Sequence, residues 1–229
     1  MLAKIVGILF VFLLVAGVPA LSYLTARRAD LRLLPRLDLY LSAALSQWLL
    51  AALGVLVTAT AGPGFRAVGF RAVAADSFLT WTLILTVGSL AALGAVIFLE
   101  RLNWFPEEPE LVLLLMPRTR REKLLAVVLL APTAGLCEEF VFRGYLLHQL
   151  LAWDVPTLWA WVGSSVAFGV AHAYQGLNGM ARAALLGGLL ALPVVRLGSL
   201  YPSMMAHFLI DAVALVWLGP RFLKGASGQ

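Results

Sequence analysis

The sequence predicts an all-α protein, a polytopic bundle of about seven transmembrane helices, and three observations carry that prediction. Hydrophobic residues make up 62% of the 229-residue chain and charged residues only 13%, about half the charged share of a soluble domain, and the mean hydropathy is +0.92. Apolar runs of about 20 residues, the length a helix needs to cross a hydrocarbon core, recur along the chain. The basic residues collect in short segments between those runs; despite a formal net charge of +5, this is the distribution of a membrane topology and not of a nucleic-acid footprint.

Taken in order, the runs are Ile5 to Leu24, Leu39 to Ala61, Phe78 to Leu99, Lys123 to Leu151, Pro156 to Ala173, Met180 to Leu197 and Pro202 to Leu218. Arg27 and Arg28 stop the first. Its Val18-Pro19-Ala20 resembles a signal-peptide cleavage site, but the apolar run continues beyond it to Leu24, as in a retained helix. Gly62-Pro63-Gly64 ends the second, Asp76-Ser77 suits a cap of the third, Asp154 a cap of the fifth, and Pro156 and Pro202 suit first helical turns. Glu107 to Arg121 holds an apolar piece too short to span between charged flanks, and reads as interfacial or re-entrant. Residues 1–121 therefore form N-terminal helices and an interfacial segment, 122–219 a helical core, and 220–229 a tail. Counting basic residues on alternate loops places the N-terminus outside and the C-terminus in the cytoplasm, in a multi-pass protein of the plasma membrane. A single cysteine, Cys137, allows no internal disulfide and reads as a small buried thiol.

Charge inside the spans is where function is expected, since an uncompensated ionised group in a bilayer costs roughly 2.5–3.5 kcal/mol on insertion scales. Glu138 and Glu139 stand together in the fourth run. Glu139 and Arg143 are four residues apart in the favoured order for an ion pair and read as structural support. Glu138 points about 100° away and is free to meet other helices, with Pro132 and Gly135 upstream able to kink the helix beside it. The fifth run pairs Phe168 with His172, and the seventh pairs His207 with Asp211, each on one helical face. Polar groups on three membrane helices turn to the bundle interior, so convergence on one site is the simplest geometry. A carboxylate and a histidine activate water; a second histidine with a carboxyl group stabilises an oxyanion. The same atoms offer zinc three ligands, Glu138, His172 and His207, with Asp211 orienting His207. His148 reads as interfacial, and Ala183, Gly187 and Ala191 as a close-packing stripe.

Glu138-Glu139-x-x-x-Arg143, Phe168-x-x-x-His172 and His207-x-x-x-Asp211, in that order on successive hydrophobic helices, resemble the motifs of the CPBP family. That family includes type II CAAX prenyl endopeptidases, abortive-infection proteins and lysostaphin resistance protein A-like proteins. The likeness covers about Leu124 to Leu218. It implies an intramembrane endopeptidase in which Glu138 and His172 activate the catalytic water and His207 and Asp211 stabilise the oxyanion. Asparagine stands at the last position in the eukaryotic CAAX enzymes, so an aspartate there must be protonated, orient His207 or bind a cation. The resemblance assigns His207 to the oxyanion and so favours a metal-free site over a zinc site. The implied partners are the bilayer and a membrane-associated protein or peptide substrate, with no nucleic acid. Two other readings remain: a non-proteolytic scaffold, regulator or bacteriocin self-immunity protein of the same fold, and a proton-coupled transporter. The latter more typically carries an internal repeat, and none is visible.

Overall fold

A computed structural model describes residues 2–101 and 114–218. Among the described residues the chain is all helical, without strands, and seven helical rods account for the seven apolar runs. They are α1 (Leu2–Ala26), α2 (Arg36–Thr60), α3 (Ala75–Arg101), α4 (Arg120–Ala152), α5 (Thr157–Ala171), α6 (Ala173–Leu197) and α7 (Tyr201–Trp217). Five are long and apolar enough to cross a membrane, while α5 and α7 are shorter apolar helices. The chain is a membrane protein. Of Glu107 to Arg121, the expected interfacial segment, residues 107–113 lie outside the described residues, as does the basic tail that entered the topology count.

Local chemistry explains where the rods begin and bend. Thr119 and Glu122 form a reciprocal capping box at the start of α4, which satisfies two otherwise orphaned backbone donors. Pro202 lies in the first turn of α7 as expected, whereas Pro156 is the N-cap of α5. Asp154 does not cap that helix. It adopts a left-handed φ of 59° in the turn between α4 and α5, a conformation that a short polar side chain tolerates better than most. Asp76 lies within the first turn of α3 and accepts from the Ser77 backbone N–H at 2.7 Å.

α4 departs most from a regular helix. Two π-helical stretches, Ala126–Leu130 and Ala134–Leu146, flank a short α-helical turn containing Pro132. Proline supplies no N–H to the ladder, and the neighbouring bonds re-register into wider turns. The widened stretch carries Glu138, Glu139 and Arg143. Gly135 lets it meet α7 closely, because a Cβ there would stand 2.8 Å from the Met204 carbonyl oxygen. Gly169 does the same for α5 against α6, where a Cβ would come 2.6 Å from the Met180 oxygen. α4 is thereby enclosed by α2, α5 and α7, with Phe140, Tyr145, Leu146 and Leu147 in the main core.

Candidate active site

Glu139 and Arg143 pair as their spacing predicts, at 3.0 Å with both side chains essentially inaccessible. The environment completes the pair. The guanidinium lies 3.9 Å over the Phe168 ring, a cation–π contact strengthened by desolvation, and its Nε donates to the Gly187 carbonyl at 3.4 Å. The small residue at 187 is what admits it, since a Cβ there would come 2.9 Å from an arginine nitrogen. Gly187, the middle residue of the small-residue stripe of α6, thus seats the buried arginine. Phe168 also packs edge-on against Phe142 and His172, at centroid separations of 5.2 and 4.6 Å.

Glu139 has a second partner that the sequence does not announce. His207 Nδ1 lies 2.7 Å from its Oε1, so Nδ1–H donates to the carboxylate and the ring is fixed with Nε2 facing the other way. That Nε2 stands 3.8 Å from Glu138 Oε2 and 3.7 Å from Asp211 Oδ2. Both separations exceed a direct hydrogen bond and suit a shared oxygen atom between the groups. Glu138 is held from the opposite side by Gln47 of α2, whose Nε2 donates to its Oε1 at 2.8 Å. Gln47 was missed in the sequence reading, although a primary amide inside an apolar run is a visible signal.

His172 joins the cluster through its ring. Its Nδ1–H donates to the Phe168 carbonyl at 2.8 Å, leaving Nε2 as the acceptor nitrogen, and the Phe168 ring bridges to His207 at 6.1 Å. His172 has no carboxylate within ion-pair range among the described residues. Glu138 is therefore closer to His207 than the expected Glu138–His172 couple implies. His148 is apart, engaged with the Gly144 carbonyl at 2.7 Å, and Cys137 is a buried thiol.

Among the described residues no group of three or more His, Cys, Asp or Glu side chains is placed to hold an ion. Glu138, His172 and His207 do not form the three-ligand set that a zinc site needs.

Comparison with known proteins bears on the same segment. Residues 120–213 match the model of the family described as type II CAAX prenyl endopeptidase Rce1-like. No curated protein and no solved structure matches the chain. The likeness read from the three motifs is borne out over this stretch, which spans α4 to most of α7.

Proposed function

We propose that the chain is an intramembrane endopeptidase of the plasma membrane that hydrolyses a peptide bond in a membrane-associated protein or peptide. The observation that carries this is the gap between Glu138, His207 Nε2 and Asp211, at 3.8 and 3.7 Å, a polar space for one reacting oxygen within an apolar bundle. Glu138 is anchored through one carboxylate oxygen by Gln47, which leaves the other to take a proton from water, with the free Nε2 of His172 as a second acceptor. The water oxygen attacks the scissile carbonyl carbon, and a proton passes to Glu138. His207, its Nδ1–H held by Glu139, donates from a protonated Nε2 to the oxygen that gains charge. Asp211 lies beyond that nitrogen and supports the cationic form of the ring. As the oxyanion reforms the carbonyl and the carbon–nitrogen bond breaks, the proton on Glu138 passes to the leaving amine, giving a carboxylic acid and an amine; the acid's remaining proton then moves to the amine, leaving a carboxylate and an ammonium group.

The buried Glu139–Arg143 pair acts through geometry: it fixes the histidine ring and needs no proton transfer of its own. The test is to compare the protein N-termini of membranes from cells producing the wild type or Glu138→Gln at equal abundance. New N-termini present only with the wild type support the reading. Identical sets of termini contradict it.

A further inference from the structure

A cavity of about 620 Å³ is bounded by α3, α4 and α7 and lined by apolar groups that include Phe78, Pro132, Leu136, Met204 and Phe208. None of Glu138, Glu139, His172, His207 or Asp211 is among its lining residues. A second hollow of about 570 Å³ shares Phe70 and Ala72 with it and is walled by Phe65, Arg66 and Arg71. The shared residues place a cationic mouth beside an apolar length, and together they form a groove.

The mouth is carried by a loop between the ends of two membrane spans. The 61–74 loop joins the end of α2 to the start of α3, on the membrane face from which α7 departs, and Phe65, Phe70 and Tyr201 are exposed there as in an interfacial aromatic belt. The loop is anchored: the Leu200 N–H donates to the Gly69 carbonyl at 2.9 Å, and Val68 is fully buried. Gly69 adopts a φ of 95° to make this turn. Arg66 and Arg71 are exposed and have no carboxylate partner among the described residues, whereas Arg28 is paired with Asp30 and Arg36 with Glu122. Two unneutralised guanidinium groups over an apolar trough complement a phosphate carried on acyl chains. From Tyr201 to Phe208 the trough descends about 10 Å along α7 at the helical rise, enough for the upper part of one chain.

We propose that this groove binds one anionic phospholipid, with its phosphate between Arg66 and Arg71 and an acyl chain along the Pro132–Phe208 trough. The site is distinct from the polar cluster and does not depend on the proposed hydrolysis. The test is native mass spectrometry of the full chain released from detergent micelles containing equimolar phosphatidylglycerol and phosphatidylcholine of identical chains. The wild type is expected to retain phosphatidylglycerol in preference, and R66Q/R71Q to lose that preference by about tenfold or more. R120Q/R121Q, which removes the same charge at the first turn of α4, is expected to keep it. Soluble glycerol phosphate, the headgroup without chains, is expected not to displace the lipid. Equal retention of both lipids by the wild type overturns the proposal even if the double variant fails to fold. So does an equal loss in R120Q/R121Q, which would mean diffuse charge attraction, or displacement by glycerol phosphate, which would mean a phosphate site without the groove.

Discussion

α3 and α4 have the same mean hydropathy in their most apolar stretches, 1.8, yet 17% of that stretch is buried in α3 and 50% in α4. The difference lies in what each helix faces. α3 is regular and presents Leu79, Leu83, Ile84 and Val87 outward, and a Cβ at Gly88 would meet nothing within 4 Å. α4 is widened by π-helical turns and enclosed by three neighbours, and it holds an ion pair with no access to solvent. Hydropathy therefore tells which segments enter the membrane, while enclosure decides where charge can be kept there.

Substitutions that probe enclosure should separate the two helices, and the largest effect is expected at the ion pair. Arg143→Met leaves Glu139 buried with only His207, and should cost about 3–5 kcal/mol, seen as a lowered midpoint of thermal unfolding in detergent. Arg143→Met combined with Glu139→Gln should recover part of that loss; no recovery would mean that the arginine acts by volume alone. Gly135→Val is next. Its side chain must displace the α7 backbone, at about 1–3 kcal/mol by the same measurement.

Gln47→Leu removes the donor to Glu138 and should cost about 1.5–3 kcal/mol or less, because the carboxylate can recruit water in place of the amide. Its larger consequence is a drop in cleavage, measured on the N-termini that depend on Glu138. Gly88→Ala on α3 should be the mildest, stabilising by about 0.5–1 kcal/mol through reduced backbone freedom. A destabilisation there as large as at Gly135 would erase the contrast between the helices.

The seven rods were legible because lipid demands long apolar helices, and the Glu139–Arg143 pair because four-residue spacing places side chains on one face. The rest depended on contacts between distant positions. Gln47 and Glu138 are 91 residues apart, and Glu139 and His207 are 68 apart; no local pattern states that such groups meet. The π-helical register of α4 was only hinted at by Pro132, since proline predicts a disturbance and not its form. Asp154 was misread because aspartate favours both caps and left-handed turns, and the extra residues before Pro156 made it a turn.

The two neighbouring glutamates bring the comparison down to a single helix. Glu138 is partly accessible at 15% and faces the gap, whereas Glu139 is sealed at 0% between an arginine and a histidine. The most direct measurement is thermal unfolding and cleavage on the same purified preparations of Glu138→Gln and Glu139→Gln. Glu138→Gln should unfold within about 1 kcal/mol of the wild type and leave no cleavage, while Glu139→Gln should be the less stable by several kcal/mol. Equal destabilisation, or cleavage persisting in Glu138→Gln, would contradict the assignment of chemistry to Glu138 and support to Glu139.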